Sequence, residues 1–199
     1  MPEDKRLAVL NAAIEVFGKY DYKRASTDLI AVKAGISKGL LFYYFRNKRE
    51  LYLAAFEYAR QTTIDFIMDA RMGEITDFFE MLAYAGKKKF RLMAENPHVV
   101  DFALRSYYSE KEEVSEDLKA FSLREINGSY ETYFQKIDFG KFKDGANPQR
   151  ILKMLLWMMD GYLHEQQMLG KSLRIPEIEE ELDRWMDMFK AIFYREEYL

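Results

Sequence analysis

The chain has 199 residues, 49% hydrophobic and 32% charged, with a net charge of −3, a make-up that gives a folded chain with a real core and excludes a disordered one. There is no cysteine, which excludes disulfides, thiolate metal sites and a cysteine nucleophile; with only two histidines, His98 and His164, a His-rich metal site is not expected either. Charge is uneven: residues 1–60 hold eleven Lys and Arg against seven acids, so the remainder carries −7, the pattern of an N-terminal part with an anionic partner.

In chain order, a first helix is expected from Glu3 to Tyr20, because Leu7, Leu10, Ile14 and Phe17 recur on one face. Ser26 or Thr27 caps a second, which turns Ile30, Ala31 and Ala34 inward and ends at Gly35, where a left-handed residue costs little. Ser37 caps a third that ends near Phe45. A fourth starts near Lys48 and reaches Asp69 or Met72, with Leu51, Ala55, Tyr58 and Ala59 inside. Further helices are expected over 74–94, 97–109, 115–137, 148–169 and 176–196, with Pro97, Pro148 and Pro176 in first turns, Asn147 as a cap and Gly170 as a terminator. Residues 138–147 read as a loop. The last two helices are apolar on more than one side, through Leu155, Leu156, Trp157, Met158, Trp185, Met188 and Ile192 among others. A protomer this small cannot bury two such helices alone, but a second copy packed across a two-fold axis can.

Between Asp28 and Glu50 lie 21 residues with five bases and no acid. Two short helices joined by a Gly-containing turn form a helix-turn-helix, with Ile30, Ala34, Ile36, Leu41 and Phe45 as its small core. Lys38, Tyr43, Tyr44 and Lys48 fall on the outward side, and the start of the third helix offers free N–H groups to phosphate.

The run Ile30-Ala31, Ala34-Gly35-Ile36-Ser37-Lys38-Gly39, Leu41-Phe42, Tyr44-Phe45, Lys48 and Leu51 resembles the N-terminal domain of the tetracycline-repressor (TetR) family over about residues 5–55. The resemblance implies an all-α fold: a three-helix DNA-binding domain over 1–47 and a larger helical ligand-binding and dimerisation domain over 48–199. It implies a homodimer through the last two helices, an imperfectly palindromic double-stranded DNA operator, and repression released by a small apolar or amphipathic molecule. It assigns Thr27 and Ser37 to capping and phosphate contact and places Lys38 and Gly39 at the start of the recognition helix. Tyr43 and Tyr44 match positions that touch bases or phosphates, and Lys48 matches a phosphate-binding lysine. Leu40 is either plain surface or a contact to a thymine methyl. Two residues depart from the family pattern. Phe42 stands where Tyr is common, and Asp21 where Gly usually ends the first helix.

The central segment is rich in aromatics and methionine, which read as core or as the wall of a ligand cavity. Candidate ligand contacts are Tyr130, Phe134, Trp157, Asp160 and His164. No cofactor, metal or catalytic constellation is expected: a Gly-rich phosphate loop, Gly-x-Ser-x-Gly and His-Glu-x-x-His are all lacking. The N-terminus shows no secretion-signal core and no run of about 18 uncharged apolar residues occurs, so the cytoplasm is expected. The rival reading is a helical small-molecule sensor that does not act through DNA.

Overall fold

The computed structural model describes residues 2–107, 113–120, 134–170 and 174–199. The helices are α1 (Glu3–Lys19), α2 (Thr27–Lys33), α3 (Lys38–Phe45), α4 (Lys48–Ile67), α5 (Phe78–Glu95), α6 (Pro97–Tyr107), α7 (Pro148–Met168) and α8 (Ile175–Phe193), with a further helical stretch over 115–120. The described residues contain no β-sheet, only an isolated antiparallel bridge between Phe142 and Tyr194. The chain forms two compact units, one from the described parts of Met1–Phe66 and Leu92–Asn127, the other from those of Ile67–Arg91 and Gly128–Leu199.

The first unit is built on one apolar core. Val9, Leu10, Ala13, Ile14 and Phe17 of α1 meet Ile30, Leu41, Leu51, Tyr52 and Phe102, all nearly or fully buried. Four rings hold its centre: Phe17, Tyr22, Tyr52 and Phe102, with Tyr52 and Phe102 edge-on at 5.0 Å. The Tyr52 hydroxyl is satisfied by a buried hydrogen bond to Ser106 at 2.7 Å, as a buried phenol requires. Helix α1 lies so close to α6 that a Cβ on Gly18 would stand 3.0 Å from the His98 carbonyl oxygen and 3.1 Å from the Phe102 nitrogen. Arg105 donates to the Gly18 carbonyl at 3.0 Å, satisfying an acceptor left over at the end of α1. Arg49, at the start of α4, holds Asp117 with two hydrogen bonds of 2.9 and 2.6 Å. These contacts fix α6 to α1 and the 115–120 stretch to α4.

In the second unit Phe78, Phe79, Phe134, Phe142 and Tyr194 form a ring cluster with centroids 4.9–5.9 Å apart along its contacts. Ile178, Leu182, Met186 and Phe189 are the buried stripe of α8, at the spacing of a single helical face. The Tyr194 hydroxyl is buried without a hydrogen bond that meets normal geometry. Burial and the nearby Asp77 carboxylate push this phenol well above its ordinary pKa.

Several boundaries differ from the sequence reading. Helix α4 stops at Ile67 and not at Asp69 or Met72, because the Asp69 carboxylate gathers the Met72 N–H, the Tyr84 hydroxyl and the Lys88 ammonium at 2.9, 2.6 and 3.0 Å. A 3-10 turn at Met72–Glu74 follows. Helix α5 therefore begins at Phe78 and not at 74, where Asp77 accepts the N–H groups of Phe79 and Glu80. The helix expected over 115–137 does not reach 137, since residues 134–136 are a turn; residues 121–133 lie outside the described ones. Helix α8 ends at Phe193, not 196, because the next residues pair with the 141–143 segment through Lys143 N to Phe193 O and Arg195 N to Lys141 O, at 2.8 and 3.0 Å. Asp21 does not take up a left-handed backbone; its carboxylate binds the Arg24 N–H and side chain, both at 2.7 Å, and closes the turn after α1.

Candidate DNA interface

Local chemistry builds the helix-turn-helix. Ser26 caps α2 by accepting the Leu29 N–H at 3.3 Å, which leaves Thr27 as the first helical residue, half-buried. The turn is a Schellman motif: Ile36 N reaches Ala31 O at 3.0 Å and Gly35 N reaches Val32 O at 3.1 Å, with Gly35 at φ +66°. A side chain at that φ would be strained. Ser37 then caps α3 by accepting the Leu40 N–H at 3.2 Å.

Helix α3 is two-faced. Leu41 and Phe45 are buried against Ile30, with Ala34 and Ile36 packed on them. Ser37, Lys38 and Gly39 are exposed, Leu40 is half-buried, and Tyr43 is 78% exposed. Tyr44 is 36% exposed and meets Tyr43 edge-on at 5.1 Å, so both phenols reach solvent. Phe42 is half-buried. Lys48 sits 5.0 Å from the Tyr22 ring centre and donates to the Lys23 carbonyl at 3.2 Å, which holds its ammonium beside the α1–α2 turn. The face thus offers a helix N-terminus, two cations and two aromatic hydroxyls.

The Lys38 ammonium lies 2.9 Å from Asp28, with the two side chains 53% and 65% exposed. A pair so open contributes little to stability and gives way readily to a phosphate. Lys38→Ala is expected to leave the melting temperature within about a degree, to lower DNA affinity about tenfold and to reduce the salt slope of binding by ~0.9, the value for one phosphate that is no longer neutralised. Thermal melts and anisotropy titrations across salt concentrations check this. A lower melting temperature with an unchanged slope would mark the lysine as structural.

A feature with no signal in the sequence lies at the end of α3. Arg46 has φ +49° and ψ −49°, and the Asn47 N–H turns back to the Phe45 carbonyl across it. Asn47 then caps α4 by accepting the Glu50 N–H at 2.8 Å. A strained non-glycine conformation costs on the order of 1–3 kcal/mol. Glycine relieves this at a smaller entropic cost. Arg46→Gly is therefore expected to raise stability by about 1 kcal/mol in a denaturant melt while weakening DNA binding at low salt through the missing charge. A fall in stability would contradict the strain.

Four of the five expected ligand contacts lie among the described residues. Phe134 is buried against Phe78, ring centres 5.4 Å apart. Asp160 is half-buried, His164 is exposed and Trp157 is 68% exposed. Tyr130 lies outside the described residues. Among the described residues no group of acids and histidines is placed to hold a metal ion, and no helix is long and apolar enough to cross a membrane.

An all-helical chain whose N-terminal helix-turn-helix displays bases and tyrosines on a capped, exposed recognition helix is a DNA-binding transcriptional regulator. Residues 9–55 match the family of bacterial regulatory proteins, tetR family. It is 26% identical over 160 residues to the fatty acid metabolism regulator protein of Bacillus subtilis (strain 168), covering 78% of this chain and 80% of that one. It is 34% identical over 113 residues to the HTH-type transcriptional activator FasR of Mycolicibacterium smegmatis, covering 51% of each. Among solved structures, the fatty acid degradation regulator FadR from Bacillus halodurans superposes with a TM-score of 0.74 at 18% identity, over 91% of this chain and 97% of that one. FadR from Bacillus subtilis in complex with stearoyl-CoA superposes with a TM-score of 0.68, also at 18% identity and with the same coverages.

Proposed function

We propose that the chain is a repressor that binds an imperfectly palindromic operator as a homodimer and lets go when a long-chain fatty acyl effector binds. Residues 1–47 read the DNA through Thr27, Ser37, Lys38, Gly39, Leu40, Tyr43, Tyr44 and Lys48, and residues 48–199 take the effector and the second subunit. The observation that carries the DNA reading is the two-faced α3, sealed inward by Leu41 and Phe45 and open outward from Ser37 to Tyr43. Two such helices in a dimer enter successive major grooves about 34–36 Å apart.

The dimer reading rests on apolar side chains left open. On α7, Met154, Trp157, Gly161, His164 and Met168 fall at i, i+3, i+7, i+10 and i+14, and all are exposed. On α8, Met188 and Ile192 are 46% and 52% exposed. Such a stripe suits a partner helix. Of the candidate ligand contacts, Trp157 and His164 therefore fit the interface better, and Phe134, Asp160 and Tyr130 stay with the effector.

The effector class is supported by the fatty acid metabolism regulator among the relatives and by the stearoyl-CoA complex among the structural neighbours. An effector shifts the DNA-bound state only by its differential affinity for the two conformations. Titration of the protein onto DNA flanking its own gene, with and without palmitoyl-CoA, tests the reading. Salt-steep, sequence-selective binding that palmitoyl-CoA reverses is the expected result. Weak, salt-insensitive binding would favour the sensor that works without DNA, and selective binding that no acyl compound reverses would leave the regulator and remove the effector class. Work on DNA places the protein in the cytoplasm.

A further inference from the structure

Residues 22–49 carry seven bases and a single acid, Asp28. That acid does not stand at the margin. Its carboxylate lies 2.9 Å from the Lys38 ammonium, so it joins the first turn of α2 to the first residue of α3, on the side where Ser37, Lys38 and Gly39 are exposed.

Folding does not ask for a carboxylate there. Ser26, not Asp28, caps α2, and the Asp28 side chain is 65% exposed. It gains only what an open acid gains at the start of a helix. Against a polyanion the same charge is a cost, because the first helix of a helix-turn-helix crosses the DNA backbone.

The pair with Lys38 decides how that cost is met. In the free protein the two charges neutralise each other. When Lys38 turns to a phosphate, Asp28 loses its partner and is left beside the duplex. A phosphate cannot replace that partner, since its oxygens only accept hydrogen bonds. A base edge can. Cytosine and adenine each donate an amino group into the major groove, whereas guanine and thymine show only acceptors there. The N-terminal residues of a recognition helix meet base edges, and Asp28 already reaches the first of them.

We propose that Asp28 is a specificity residue: it accepts a hydrogen bond from a base amino group, cytosine N4 above all, and so penalises every duplex that offers none at that step. This rests on the reading of α3 as the helix that enters the groove. It adds a reader that DNA in general repels, which lowers non-specific binding while the cognate site is kept.

The test uses the full chain as wild type, Asp28→Ala and Asp28→Asn. Each protein selects sites from a random duplex pool, and anisotropy across salt concentrations then compares the wild-type site with a scrambled duplex of the same length. Asp28→Ala is expected to bind the scrambled duplex about fivefold tighter at low salt, because one repulsion is lifted. The ratio of selected to scrambled affinity should fall about tenfold or more, and one base position should lose its preference for cytosine or adenine while the others hold. Asp28→Asn, which both donates and accepts, should turn that position towards adenine. Melting temperatures should stay within about two degrees, as for any open ion pair. If Asp28→Ala gains equally on both duplexes, or selects the same site with the same ratio, Asp28 reads nothing and the proposal is overturned while α3 remains the reader. If the wild type itself enriches no site, the reading of α3 falls and takes Asp28 with it.

Discussion

Trp157→Glu is expected to turn a dimer into a monomer and to cost operator affinity two orders of magnitude or more. Trp157 is 68% exposed in the protomer, an uncommon outlay for the largest apolar side chain unless something covers it. It is the second of the five exposed positions of the α7 stripe, with Gly161 one turn on at the stripe's middle, where a small residue lets a partner helix come near. Central tryptophans in interfaces are often worth about 2 kcal/mol or more, and glutamate in both copies adds two like charges in a desolvated place. A dimer dissociation constant raised about a hundredfold corresponds to ~2.7 kcal/mol. The protomer fold should hardly notice, because a side chain already open to water contributes little to its own core. Operator binding should suffer most, since a second half-site helps only when the two readers are linked. Sedimentation and anisotropy, measured on the same samples, separate the two roles open to this residue. An interface tryptophan changes mass and DNA affinity together. A cavity tryptophan would change effector affinity and leave the dimer whole, and that outcome would overturn the interface.

The parts of the structure that could be read from the sequence are those whose chemistry is local. Ser26, Gly35 and Ser37 carry their own geometry: a hydroxyl that caps the next turn, and a residue free to go left-handed. The helix-turn-helix and the exposure of Lys38 and Tyr43 followed from three residues and a hydrophobic period. The start of α5 was just as local, since Asp77 and Glu80 stand at capping-box spacing with the aspartate in the serine's place, although the expected helix begins at 74. What sequence could not supply is non-local. Nothing near Gly18 tells that α6 will press its backbone against that atom. Nothing near Arg49 points to Asp117, 68 residues away. Trp157 reads from the sequence both as a candidate ligand contact and as part of a helix too apolar for one protomer to bury, and its 68% exposure favours the second.

Phe102→Ala should be the most damaging substitution in the DNA-reading unit, although Phe102 lies on α6, outside the helix-turn-helix. Phe102 is fully buried, with ring centres of Tyr52, Phe17 and Phe56 at 5.0, 6.1 and 6.3 Å. Its removal takes one packing surface from α1 and two from α4 at once, and the site cannot collapse because the Gly18 approach already brings the two backbones together. Phe-to-Ala changes in such cores cost about 3–5 kcal/mol, a large share of the ~5–15 kcal/mol that holds a protein folded. At roughly 2–4 °C per kcal/mol for a chain of this size, the melting temperature should fall by about 6–20 °C. Tyr52→Phe is the contrast to measure: it keeps the ring, drops the hydroxyl and leaves the buried Ser106 oxygen short of a partner, at a cost of about 1–3 kcal/mol. The two residues are in contact, so the double variant should lose less than the sum of the two. Operator affinity should follow stability in both, since α3 is presented by the same core that α6 completes. A Phe102→Ala protein that melted like the wild type would mean that α6 does not brace the three N-terminal helices, and the route by which the rest of the chain governs DNA binding would have to be sought in α4 alone.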